Sequence, residues 1–181
     1  MTDLLDMKNS IDRRAFLGIG YGMYIVASER DGKLNGQIAN TVFQVSSEPA
    51  LIATAISKDN LTHDYIEKSG HFSITILEQS TPFQFIGLFG FRSGRDVDKF
   101  SGVKHKIAGN GCPIIIENAV SAIELKTVNQ VDVGSHSLFI GEVLNTEIFS
   151  EGSPLTYAYY REYIKGKTPK ASPTFIPPEQ T

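Results

Sequence analysis

Six times between residues 23 and 149 the chain builds a short β-rich segment and then breaks it. MYIVAS (23–28) runs into Glu29-Arg30-Asp31-Gly32, and an Asp-Gly pair after alternating residues is a strong hairpin signal. QIANTVFQV (37–45) mixes β-branched and aromatic residues until Glu48-Pro49 ends it. ALIATAIS (50–57) is almost continuously apolar, as in a strand covered on both faces. HFSITIL (71–77) alternates, and PIIIENAVSAIELKTV (113–128) and SLFIGEVLNTEIF (137–149) follow a glycine-rich turn. Many strands joined by short turns predict a mainly β chain that folds as a barrel or sandwich.

Two segments carry helix signals instead. Asn60 is a suitable N-cap for LTHDYIEKS, with Lys68 in the last turn and Gly70 just beyond. Thr81-Pro82 places a cap before a proline at the first helical position of PFQFIGLFGF. There Phe85, Ile86 and Phe89 share a face, and Gly94 is a natural stop. The closing KGKTPKASPTFIPPEQT (165–181) holds four of the eight prolines and reads as an extended tail. At 181 residues, one domain spanning 1–181 accounts for the chain.

Charge and composition remove several function classes. Lysine and arginine total 17 against 20 acids, a net −3, so no basic field draws nucleic acid or an anionic membrane. The opening MTDLLDMKNS lacks the basic-then-apolar pattern of a signal peptide, and no apolar run nears the ~20 residues of a membrane span. A cytoplasmic location is expected. The single cysteine, Cys112, excludes an intrachain disulfide and a four-cysteine metal site. His63, His71, His105 and His136 show no metal-ligand spacing. GIGYGM (18–23) lacks the third glycine of a dinucleotide loop and precedes a strand. Ser93 in GFRSG does not match a nucleophile elbow.

Three polar clusters remain. Asn40-Thr41 interrupts an apolar strand. SKDNLTHD (57–64) spans a strand-to-helix junction, where free N–H groups and the helix dipole favour an anion, with Lys58, Asn60 and Thr62 adding charge and hydrogen bonds. FRSGRDVDKF (91–100) follows a helix end; Arg92 can grip a phosphate with two prongs, while Ser93 and Gly94 bring a hydroxyl and backbone N–H groups close. An edge-strand face, ordinary capping and a salt-bridged loop are the plain alternatives.

NGQIANTVFQVSSEP, ISKDNLTHDYIEKSG and FIGLFGFRSGRDVDKF, in that order, resemble the FMN-binding split-barrel proteins of the flavin reductase-like family. Within it the chain resembles flavoredoxin and the flavin module of high-molecular-weight rubredoxins, from about Ala15 to Pro177. The resemblance implies a six-stranded antiparallel split barrel with a few short helices, a homodimer, and FMN near the subunit interface. It implies that Asn40, Thr41 and Val42 lie along the isoalloxazine edge. Ser57, Lys58, Asn60 and Thr62 would reach the ribityl chain and phosphate, Arg92, Ser93, Gly94 and Lys99 would complete the anion cradle, and Phe175 would cover the flavin.

Two departures bear on function. Reductases of this superfamily often carry Gly-Asp-His before a late strand, the histidine helping to place a nicotinamide nucleotide. Here Gly134-Ser135-His136 keeps the histidine, the one candidate catalytic residue, and lacks the acid. High-molecular-weight rubredoxins add a four-cysteine iron module, which one cysteine cannot supply, so a rubredoxin would be a separate partner. The resemblance thus implies an oxidoreductase moving electrons from NAD(P)H through FMN to an acceptor. A carrier exchanging electrons with a protein, and a flavin-binding module without turnover, are the alternatives.

Overall fold

In the computed structural model, which describes residues 11–176, β1 (Tyr24–Arg30) and β2 (Lys33–Ala39) pair down to Arg30 against Lys33. A two-residue loop of this twist needs positive φ twice, and Asp31 and Gly32 stand at 53° and 76°. The chain continues through β3 (Val42–Ser47), β4 (Ala50–Ser57), α1 (Leu61–Ser69), β5 (His71–Leu77) and α2 (Phe83–Phe91). Next come β6 (His105–Ile107), β7 (Pro113–Ile115), β8 (Ala119–Asp132) and β9 (His136–Ile148). A short helix, α3 (Tyr157–Tyr159), runs into a π-helical turn, Tyr160–Ile164. The amino-terminal decapeptide read for targeting signals, and Pro177 at the limit of the resemblance, lie outside the described residues.

Seven strands form one antiparallel sheet in the order β2-β1-β5-β8-β9-β4-β3, and β6 pairs with β7 apart from it. The order has a geometric consequence. β2 and β3 are the two edges of the sheet, yet only Asn40 and Thr41 separate them in sequence. The three steps from Ala39 to Val42 span at most about 11 Å, so the sheet must curl until its edges approach each other. The result is a barrel whose seam is bridged by the chain itself, while Ala55 N–H donating to Thr41 O at 3.2 Å carries the β3–β4 ladder up to it. This is one strand more than the six implied by resemblance. QIANTVFQV, which reads as a single strand, breaks at Asn40-Thr41 and serves both edges.

Alternation sorts the apolar residues into two cores. Val26 joins Ile52, Ile56, Phe72, Ile74, Leu125 and Phe139 on one side, together with Ile66 from α1. Ile25 and Ala27 face the other way, toward Ile86 and Phe89 of α2, Phe100, Leu155, Tyr157 and Tyr160. The helices thus sit against opposite faces of β1, and their facing ends flank β2.

Both helices begin and end where local chemistry predicts, with two shifts. α1 stops at Gly70 in the left-handed region (φ 70°), but the Asn60 side chain makes no capping bond. α2 takes Pro82 as its N-cap instead of Thr81, whose hydroxyl donates to Glu78 O at 2.5 Å. It ends at Phe91, before Gly94, because Arg92 is already extended (φ −107°, ψ 145°). Among the described residues, no helix is long and apolar enough to cross a membrane.

Candidate functional site

A cleft of about 380 Å³ opens where β2, the N-terminus of α1 and the C-terminal end of α2 converge. That is within the range of small-molecule and cofactor sites, about 300–1,000 Å³. Asn40, Ser57, Asn60, Thr62, Arg92, Ser93, Gly94, Lys99 and His136, nine of the thirteen sequence candidates, line it. Arg92, Arg95, Lys99 and Lys167 face a single carboxylate, Asp59. In a chain of net charge −3, this wall selects an anion.

The cationic groups are not equivalent. Arg92 forms no ion pair or hydrogen bond among the described residues, so its guanidinium is free toward the cleft. Arg95 is committed: it donates to Asp59 O and to Asp64 Oδ2, each at 3.2 Å, which ties the loop after α2 to the start of α1. Lys99 is 5% exposed and donates to Gly36 O at 2.9 Å and Phe89 O at 3.3 Å. Burial lowers its pKa to about 8. The Asn60 side chain makes no cap bond, so the Leu61 and Thr62 N–H groups are left for an anion, while the His63 N–H is taken by Asn60 O.

The remaining four candidates lie elsewhere. Lys58 pairs with Asp132 at 2.6 Å and lowers that carboxyl below its ordinary range. Its backbone N–H donates to Ser135 O, so the side chain secures the β8–β9 turn and does not enter the cleft. Thr41 and Val42 are at the seam, outside the cleft lining; Thr41 O is taken by Ala55 and Val42 packs on the inner core. Phe175 lines a separate small hollow with Phe16, Leu17 and Tyr21.

Residues 165–176 lack regular structure, and where the sequence reads an extended tail they are fastened along the cleft as a strap. Tyr160 O–H donates to Lys167 O at 3.0 Å, Tyr157 bonds Thr168, and Asn40 Nδ2 donates to Thr174 Oγ1 at 2.8 Å. His136 provides another tie. Its Nε2 is 3.2 Å from Ala171 O and its Nδ1 is 2.8 Å from Ser135 Oγ. A carbonyl only accepts, so Nε2 carries the proton and Nδ1 accepts from the serine. Burial keeps this imidazole below its ordinary pKa, which favours the neutral form. The Ser135 hydroxyl therefore orients the ring.

Several lining residues escape the sequence reading. Asn35 is 2% exposed, with its Nδ2 donating to Thr62 Oγ1 at 2.8 Å and its Oδ1 unpaired. Gln37 Oε1, also in the wall, has no partner either. Both are at alternate positions of β2, a spacing that reveals nothing until the cleft is known. A Cβ at Gly94 would overlap Asn35 Oδ1, so this glycine allows close approach of the loop to β2.

The comparisons agree with this geometry. The model of the flavin reductase like domain matches residues 16–166. The chain belongs to that family. It is 46% identical over 166 residues to a ferric-chelate reductase (NAD(P)H) of Archaeoglobus fulgidus, covering 92% of this chain and 98% of that protein. It is 42% identical over 165 residues to a high molecular weight rubredoxin of Moorella thermoacetica, covering 91% of this chain and 72% of that one. An FMN-binding protein from Thermus thermophilus, solved with bound 1-cyclohex-2-enone, superposes with a TM-score of 0.69 at 25% identity, over 76% of this chain and 78% of that one. The chain is a flavin reductase-like oxidoreductase, and its cofactor class is a flavin.

Proposed function

We propose that the cleft holds FMN and that the protein passes electrons from NAD(P)H through it to an acceptor. One observation carries the reading: a guanidinium without a partner among the described residues and a helix N-terminus without a side-chain cap line the same cleft, whose remaining wall mixes polar side chains with apolar ones such as Met23, Ile38 and Ile86. That polarity fits a phosphate at one end and an aromatic ring system toward the other. The unpaired acceptors on Asn35 and Gln37 suit the hydroxyl-rich chain between them, and Gly94 leaves the close approach such a chain needs.

When bound, the flavin supplies hydride acceptance and electron release. Arg92, Ser93 and the α1 N-terminus hold the phosphate, with Asn60 and Thr62 adding hydrogen bonds and Lys99 a buried positive charge. Ser57 and Asn40 lie further along the wall. FMN is favoured over FAD because there is one compact anion cradle. His136 is the candidate for placing a nicotinamide nucleotide, and the strap must shift before its Nε2 can do so. Rubredoxin-type proteins suit the acceptor role, as does a small chelate.

We further propose a homodimer. Phe43, Ala53 and Ile140 form one row across β3, β4 and β9, and Ala55, Leu138 and Val131 the next, across β4, β9 and β8. Phe43 and Val131 are 49% and 42% exposed. This apolar stripe reaches the cleft at Ala55, so a second copy seated on it would border the flavin.

Anaerobic mixing with NADH and NADPH, following loss of flavin absorbance, tests the function, and mass spectrometry of the cofactor released by heat tests its identity. Bleaching by either nucleotide and a mass equal to FMN are expected. Release of FAD overturns the cofactor assignment. Failure of both nucleotides, with rapid reduction by a reduced rubredoxin, makes the protein a carrier.

A further inference from the structure

Asn35 is fixed by its strand. Its backbone pairs with Ser28 across the β1–β2 hairpin, and its side chain is buried between the two anion-binding elements. Nδ2 reaches Thr62 in the first turn of α1, and Oδ1 presses against Gly94 in the loop after α2. The unpaired oxygen is a standing cost, since a buried acceptor without a donor is destabilising. An apolar side chain would avoid that cost. What only an amide of this shape provides is an N–H donor aimed at Thr62.

The donor direction matters because a hydroxyl has one proton. With Thr62 Oγ1 accepting from Asn35, the Thr62 proton is free to point elsewhere, and Thr62 lines the cleft. A carboxylate at position 35 would reverse this by taking the proton for itself. We infer that Asn35 is a positioning residue that directs the Thr62 hydroxyl proton into the cleft, toward a phosphate monoester. The inference rests on the proposal that the flavin phosphate occupies this end.

Asn35→Asp keeps shape and volume but reverses the direction of the bond. Thr62→Val removes the hydroxyl and reports on the same contact from the other side. Titrations of the cofactor-free protein with FMN and with riboflavin, read by quenching of flavin fluorescence, compare wild type, both single variants and the double variant. Wild type should prefer FMN. Each single variant should lose about tenfold or more in FMN affinity and less than about threefold for riboflavin. The double variant should lose no more than Thr62→Val alone. A mere charge effect of the aspartate would persist in the valine background, so additive losses overturn the inference. Equal losses for both flavins overturn it as well, by assigning Asn35 to packing. If wild type prefers FMN and either single variant retains that affinity, Asn35 has no such role. Equal binding of both flavins by wild type removes the phosphate assignment itself, and this inference with it.

Discussion

Lys99 should make FMN binding sensitive to mild alkali. Its ammonium is buried against two carbonyls, Gly36 O and Phe89 O, and forms no ion pair among the described residues. Burial lowers its pKa from 10.5 to about 8. In the free protein about nine in ten Lys99 side chains are then charged at pH 7 and about one in ten at pH 9. A phosphate beside the ammonium favours the charged form and raises the pKa again, so above pH 8 binding must take up a proton. If the bound pKa returns near 10.5, FMN affinity falls about tenfold between pH 7 and pH 9. The effect on stability has the opposite sign. A cation whose folded pKa is depressed costs stability while charged, below about pH 8, and that cost is relieved between about 8 and 10.5. Unfolding driven by Lys99 therefore cannot mimic the loss of ligand. Fluorescence titrations at pH 7, 8 and 9 measure the slope, with riboflavin as the ligand lacking phosphate and Lys99→Gln as the protein lacking the titrating group. Less than a twofold change in wild type, or the same slope in Lys99→Gln, would refute the reasoning.

Arg92→Ala should weaken FMN about 10- to 150-fold, from the ~1.5–3 kcal/mol of a charged hydrogen bond, and riboflavin much less; equal losses in the two titrations would move Arg92 away from the phosphate. His136→Ala should slow stopped-flow reduction by NAD(P)H and, by removing the tie to Ala171, speed amide exchange in the strap. Faster exchange without slower reduction would leave the histidine as a latch alone. Phe43→Asp should convert a dimer into a monomer in light scattering at micromolar concentration, because it puts a charge on the exposed β3 end of the apolar stripe; a monomeric wild type would remove the proposed interface.

The β architecture is legible because its signals are local. Asp31-Gly32 demands one turn type, Gly70 one helix end, and ALIATAIS occupies β4 from Ala50 to Ser57. The break at Asn40-Thr41 is not local: it follows from closing a seven-stranded sheet on itself, which no window of residues displays. β6 is missed for a similar reason, since three residues, His105–Ile107, acquire strand geometry only by pairing with β7. At the site, residue types that attract anions point to the right region but not to their commitments. Lys58 looks like Arg92 in sequence, yet Asp132, 74 positions away, claims it. Gly94 reads as a helix stop and is a point of close approach. The strap is hidden most deeply, because its prolines read as an extended tail and give no hint of the ties from Tyr157, Tyr160, His136 and Asn40.

Those ties also set an order of access. The cleft is assembled from β2, the α1 N-terminus, the loop after α2 and the strap, segments brought together at the sheet's seam. Asn40, at the seam itself, donates to the strap through Thr174, while His136, on the β8–β9 side, holds it through Ala171. A ligand in the cleft lies beneath this crossing. A second ligand that must touch the first, as a hydride donor must, has to displace part of the strap, and the His136 tie is the weaker candidate to resist it: a 3.2 Å bond at an exposed position, against the buried 2.8 Å bond of Asn40. Under the proposed function, opening from the His136 end would leave the seam intact and would bare the imidazole to an arriving nucleotide. On that proposal the same residue would hold the closed strap and, once released, meet the donor, so its tie to Ala171 in this structure is compatible with the proposed role.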